Sequence, residues 1–447
     1  MLAPVLLSPL VLRPKLAFVF VLAVVVALLA TRSPAYPIGL AGVPGVIVGL
    51  LGRNPLPQGG VSLLLFAWTL GAIAFALGRR ENVSPAMVLN PVLVLSVGLV
   101  VLMLARLGVS PADAYGTFKT KTFVAENVLY VLAGTLIASR RKDFNLYVVL
   151  TLLVTTAGAA ALIREVATGS APTLAGRYYL TESYPVLIGR SAAVGLIAAI
   201  FVLLTREASR TRMLALVALP VLAVSLMAAG SRGPVLALLS ALLVLALVLV
   251  GDRAMRRRLV VVAAAIAAAA VCVVALVPGQ DVSRSLSVFV GGGGGAAGGF
   301  SSNGRLELWS AAWSAFRAHP LGGLGTGGFA SLASELYPHN IVLEAASELG
   351  VLGLLLVVGV LVTGGTFVVR GLRSRVPHVR RDAVLVVGLF TAAVVNSLVS
   401  GDLRTNSPVW LSAGLAIGLA LRPREEPALE QEPAGAPAGA PEPAYLD

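Results

Sequence analysis

The chain has 447 residues, of which 57% are hydrophobic and 12% charged, and it carries a formal charge of +13. A soluble protein holds roughly twice that charged fraction, so a water-soluble globular fold is excluded, and a β-barrel would show short alternating segments instead of long apolar runs. The basic residues sit in short clusters between those runs, which argues against nucleic-acid binding and for a bilayer, while the single Cys272 rules out an intramolecular disulfide and a cysteine-built metal site.

Taken in order, apolar runs that approach or reach the roughly 17–25 residues needed to span a bilayer as helix predict a span at 16–31. Arg13 and Lys15 precede it as in a signal peptide, but the many spans that follow favour an uncleaved first span. The run 33–51 is broken by Pro34, Pro37, Gly39, Gly42, Pro44 and Gly45 and is read as a short or re-entrant piece. Further spans are predicted at 61–77, 87–104, 123–138, 146–163, 186–204, 213–229, 234–250, 259–277, 341–369, 383–399 and 408–421. The fold class is therefore an all-α polytopic membrane protein of about twelve spans, provided 33–51 does not cross.

The arginine clusters set the orientation. Arg79-Arg80, Arg140-Arg141-Lys142, the Arg206/Arg210/Arg212 group, the Arg253–Arg258 group and the basic stretch Arg370–Arg381 fall on alternate connections, which places them in the cytoplasm. The other side then receives residues 106–122, 164–185, the 230–233 corner, the long loop 278–338 between the ninth and tenth spans, and 400–407. Inside the long loop, residues 291–299 are nearly all glycine. Leu306, Trp309, Trp313 and Phe316 recur at helical spacing and predict an amphipathic helix over 305–318 at the membrane surface. Residues 425–447, rich in Pro, Ala, Gly and Glu, read as a disordered cytoplasmic tail after a single membrane domain, 1–424.

Several polar residues on the outer side stand out, each with a plain structural alternative. Arg232 lies where one run ends and the next begins; it either meets a ligand or snorkels to headgroups or caps a helix. Arg305 opens the Trp-bearing helix, where a guanidinium and free backbone N–H groups suit an anion; pairing with Glu307 is the alternative. His339 directly precedes a long span and is either a base or a cap for that helix. Glu344 and Glu348, four apart on one face, either orient such a base and bind sugar hydroxyls or form a packed polar seam. Arg177 and Arg190 are further candidates for an anion site, and Asp402 is placed to pair with Arg404. The stretch Gly323-Leu324-Gly325-Thr326-Gly327-Gly328 fits GxGxxG, but no strand precedes it, so a tight loop is the better reading than a dinucleotide site.

Gly230-Ser231-Arg232-Gly233-Pro234, Asn303-Gly304-Arg305-Leu306-Glu307-Leu308-Trp309, His319-Pro320-Leu321-Gly322-Gly323-Leu324-Gly325, and Pro338-His339-Asn340 through Glu348-Leu349-Gly350, taken in that order, resemble the signature region of the bacterial O-antigen ligase/polymerase family. The resemblance covers about 230–350. It implies an inverting, metal-independent glycosyltransferase of the inner membrane, without a cofactor, with its active site on the outer side. Its donor would be an oligosaccharide on undecaprenyl pyrophosphate and its acceptor a glycan, lipid or protein. By the same resemblance, Arg232 and Arg305 would hold the pyrophosphate and His339 would take the acceptor's proton. A polyprenyl-linked glycan flippase without catalysis is the alternative, and it would require charged residues deep within several spans.

Overall fold

The computed structural model describes residues 32–41, 60–78, 84–174, 177–180, 183–205, 210–251, 253–261 and 302–422, together with the isolated residues 29, 263 and 264. The first predicted span, residues 42–51 of the broken run, most of the ninth span, the glycine tract and the C-terminal tail lie outside the described residues.

The helices are α1 (Ala35–Ala41), α2 (Gly60–Gly78), α3 (Pro85–Val88), α4 (Pro91–Ala105), α5 (Asp113–Thr122), α6 (Leu129–Ser139), α7 (Arg141–Ala167), α8 (Pro185–Thr205), α9 (Arg210–Ala228), α10 (Arg232–Val248), α11 (Ser302–Ala318), α12 (Ile341–Leu372), α13 (Pro377–Val399) and α14 (Ser407–Ala420). A π-helical turn, Phe123–Val128, joins α5 to α6. The all-α expectation meets one small exception, a two-residue antiparallel hairpin of Thr173–Leu174 with Arg177–Tyr178. Among the described residues, seven helical stretches are long and apolar enough to cross a membrane, and Phe66–Gly78, Arg232–Val248 and Ser407–Ala420 are shorter apolar helices.

Two boundaries differ from the sequence reading. Residues 113–122, expected as loop, are helical and run into the following span. Lys and Thr lower the hydropathy of that stretch without breaking a helix, so a hydropathy-based boundary falls too late. The span at 341–369 is a helix of 32 residues that is interrupted at Gly350 (φ 68°, ψ −159°). A bilayer core needs only about 20 helical residues, so the length itself leaves room for a break. The groups freed there are satisfied by the glycine-rich loop: Leu324 N–H donates to Ser347 O and Gly325 N–H to Glu348 O, each at 2.9 Å, while Val351 N–H donates to Pro320 O at 2.8 Å. Non-helical backbone at such a position survives because protein, not lipid, surrounds it.

α14 is the centre of the bundle, packed against α6, α12 and α13 and buried along Val409–Leu419. Gly414 and Gly418, four apart, present backbone to α6; a Cβ on either would run into the carbonyl oxygens of Val131 and Thr135. Small residues of this kind let helix axes come close where lipid removes the hydrophobic drive for association. Trp410 is fully buried and meets Phe123 edge-on at 5.2 Å.

The connections sort to two ends. At one, Arg422 bonds Asp382 Oδ2 and Ala138 O, both at 2.8 Å, and its guanidinium lies over Phe144. At the other, described parts of all five segments expected on the outer side interlock. Arg106 reaches Gly323 O, Tyr115 reaches Asp402, Arg177 lies against Gly230, and Arg190 bonds Ser400 O.

Candidate functional site

The site is built from helix ends and the loops that join them. Arg232 is the first residue of α10, after an extended Ser231 whose side chain does not cap the helix. A cation here opposes the helix dipole, so nothing in local helix energetics favours it. The turn before it has Gly230 at φ 55°, and a Cβ on Gly230 would sit 2.8 Å from Arg177 Cγ. The hairpin that carries Arg177 therefore lays its side-chain stem across the Arg232 turn, held by an Arg177 Nε bond to Leu174 O at 3.3 Å.

Arg305 stands in the first turn of α11 and is half-buried, whereas Glu307 is exposed. Burial lowers its pKa, and the neighbouring guanidinium groups of Arg232 and Arg177 lower it further. Three like charges thus lie close enough to act on one another, a repulsion that an anion between them would relieve. α11 is anchored by Trp309, whose Nε1–H donates to Pro338 O at 3.0 Å, and Leu308 and Ala312 pack on Phe329. Leu306 and Trp313 stay exposed, which leaves an apolar strip for the membrane surface.

His339 is the one non-glycine among the described residues with positive φ (59°). A left-handed backbone is costly for a residue with a Cβ and persists where surroundings enforce it. It does not cap α12; Asn340 does, accepting from Val342 N–H at 3.0 Å and Leu343 N–H at 3.1 Å. The imidazole stacks edge-on against Tyr337 at 4.7 Å, and its Nδ1 accepts from Gly401 N–H at 3.3 Å. Burial pulls its pKa down to about 4; Arg305 and Arg190 act in the same direction, and Asp402 opposes them. Burial, with Asp402 and Glu344 nearby, pushes the Tyr337 phenol up to about 12.

The 400–406 loop under His339 is tied from every side. Arg190 donates from Nη1 to Thr405 O at 3.0 Å and from Nη2 to Ser400 O at 2.9 Å. With the Asn396 amide turned to suit its neighbours, that side chain's oxygen accepts from Arg190 Nε at 2.6 Å and Nη2 at 2.8 Å. The Arg190 donors are thus engaged in fixing the loop. Asp402 accepts from Thr405 N–H at 2.8 Å, Thr405 Oγ1 at 2.6 Å and Tyr115 Oη at 3.1 Å, and it pairs with Arg404 at 3.4 Å. Burial pushes its carboxyl up, but Arg404, Lys119 and the Thr405 bonds outweigh this and hold it below the usual carboxylate range.

Glu344 and Glu348 are fully buried and point away from any solvent-filled recess. Lys119 of α5, which sequence reasoning passed over as part of a loop, lies between them. Its ammonium pairs with Glu344 Oε1 and, at 2.6 Å, with Glu348 Oε2. The i, i+4 spacing of Tyr115 and Lys119 was the available signal, once 113–122 is taken as helix.

Arg177, Arg232, Arg305 and His339 are therefore brought together electrostatically, next to a loop held by Arg190 and Asp402, with Glu344 and Glu348 in a sealed layer behind. A helical multi-pass membrane protein with a cluster of cationic side chains at one end of the bundle is the class these features define. Residues 217–358 match the family model described as O-antigen ligase, which bears out the resemblance read from the signature motifs and spans Arg232, Arg305, His339, Glu344 and Glu348. This supports glycosyl transfer of the ligase or polymerase type by a membrane enzyme. A search of the curated proteins found no match.

Proposed function

We propose that the protein transfers or polymerises oligosaccharide from undecaprenyl pyrophosphate onto an acceptor hydroxyl at the outer face of the bacterial inner membrane, by inversion and without a metal. The observation that carries this reading is the electrostatic clustering of Arg177, Arg232 and Arg305 beside a strained His339. The acceptor oxygen attacks the anomeric carbon, the carbon–oxygen bond to the pyrophosphate breaks, and the diphosphate leaves with the bonding pair. Arg232 and Arg305, with Arg177, are set to bind the charge that develops there; both helix N-termini add to the positive potential.

His339 receives the acceptor's proton. In the resting arrangement Nδ1 accepts from Gly401, so a neutral ring carries its proton on Nε2. Base action then requires release of that bond, which at 3.3 Å is long for an N–H donor. The ring is also a weak base while Arg305 stands uncompensated beside it. An arriving pyrophosphate neutralises the arginines and lifts the imidazole pKa, so donor binding prepares the base. The charged groups Lys119, Glu344 and Glu348 on the helices are paired with one another and so are not laid out as a transport path.

The test is purified full-length protein with lipid-linked oligosaccharide and an acceptor, scored for a new glycosidic bond and released undecaprenyl pyrophosphate, with and without a chelator. Movement of the intact lipid-linked donor without bond formation would favour the flippase instead, and dependence on an added divalent ion would overturn the metal-free mechanism.

A further inference from the structure

We propose that Lys119 is a positioning residue that sets the His339 corner through two carboxylates. It rests on the reading of His339 as the proton acceptor. Lys119, Glu344 and Glu348 are each fully buried, and each carboxylate has a second partner on a different loop. Glu344 Oε2 accepts from Leu403 N–H at 2.9 Å, two residues beyond Gly401, whose own N–H meets His339 Nδ1. Glu348 Oε2 accepts from Gly327 N–H at 2.8 Å, at the end of the glycine-rich loop that fills the break in α12. One turn earlier on α5, Tyr115 holds Asp402 in the same 400–406 loop.

A single ammonium therefore joins the first turns of α12, the loop beneath the imidazole and the loop that supports the α12 break. The groups facing it are Glu344 and Glu348 from α12, Asp402 from the loop, and the Tyr115 ring at 5.8 Å. The Lys119 ammonium and the Glu344, Glu348 and Asp402 side chains are buried, so Lys119 acts only through what it holds. Three buried groups of opposite sign are a high-stakes network: Glu348 Oε1 has no hydrogen-bond partner among the described residues, while the bonds that are made favour one arrangement of the two loops and hence one placement of His339. Replacing the charges by neutral groups of similar shape leaves each loop its own hydrogen bond but removes the cation that joins them.

Lys119→Met alone strands two carboxylates and can fail to fold, so the deciding variant is Lys119→Met with Glu344→Gln and Glu348→Gln, in full-length protein purified in detergent. We expect it to unfold close to the wild-type temperature. Its kcat should fall about 100-fold, the scale of a roughly 1 Å misplacement, with donor KM unchanged. Amide exchange by mass spectrometry should speed up in the peptide spanning 400–406 and stay as in wild type along 409–419. Wild-type kcat and exchange in the folded triple variant would overturn the proposal, and so would a raised donor KM at unchanged kcat, which would mean that the network serves donor binding. His339→Ala is measured in parallel. If it turns over like wild type, the proton-acceptor reading falls, whereas the exchange result still decides whether Lys119 holds the loop.

Discussion

Two charged regions a few residues apart in the fold are built on opposite principles. The arginine cluster gathers like charges on three separate elements, α10, α11 and the hairpin that carries Arg177, close enough for Arg232 and Arg177 to lower the Arg305 pKa beyond what burial does. The Lys119 layer gathers opposite charges, buries them completely, and satisfies each carboxylate with both the cation and a backbone N–H. The first region concentrates positive charge, which suits it to an anion. The second is stable as it stands, which is the property of a scaffold. His339 sits at the seam, depressed by the first region and placed by the second.

The contrast predicts that damage to the arginine cluster and His339 lowers turnover directly, while damage to the layer behind acts through what that layer holds. The largest effect is expected for His339→Ala: kcat lower by about 100–10,000-fold, with an unfolding temperature that falls only slightly, since Ala inherits the φ of 59° and Gly401 N–H loses its acceptor. Near-normal turnover would remove the base assignment. In wild type, the neutral imidazole is the active form and persists above its pKa, so kcat/KM should be flat at neutral pH and fall as pH drops through about 4. The corresponding fall in kcat should lie at higher pH, since the bound pyrophosphate raises that pKa. Coincident profiles would break the idea that donor binding prepares the base.

Next comes Arg305→Ala, with turnover reduced by about 100–1,000-fold. Arg305→Lys should recover little of it if the guanidinium grips phosphate through two parallel bonds, whereas full recovery would reduce its role to charge. Smaller and purely structural is Gly323→Ala. Its Cβ would strike the Glu348 carbonyl at a position with φ 61°, and a cost of about 1–3 kcal/mol is expected in denaturant or thermal unfolding. The smallest is Asn340→Ala, which uncaps α12 at a cost of about 1 kcal/mol. A large loss of turnover without loss of stability there would show that the cap also aims its neighbour, His339.

The spans and the reactive candidates were legible because each leaves a local mark. Apolar runs announce helices; Arg232, Arg305 and His339 each sit beside a Gly or Pro at a helix boundary, where a charged or polar residue is conspicuous. Lys119 left no such mark. It is one of two lysines in a Thr-rich stretch that hydropathy assigns to water, and only packing shows that it is the partner of Glu344 and Glu348, more than 200 residues away. Arg190 misled in the other direction: from sequence it is an outer arginine like the rest, but in the fold its donors are absorbed by Ser400, Thr405 and Asn396. The break at Gly350 was written only as an excess of length.

The sequence by itself determined the solvent of this protein, its helical class, the alternation of its basic clusters and the cationic side chains at its helix boundaries, since these follow from hydropathy, period and side-chain type over short windows. Which charges face a ligand and which merely face each other was decided by tertiary structure. An arginine or a carboxylate has the same chemistry in both settings, and only the partners brought to it by the folded chain fix whether its charge is left open or consumed.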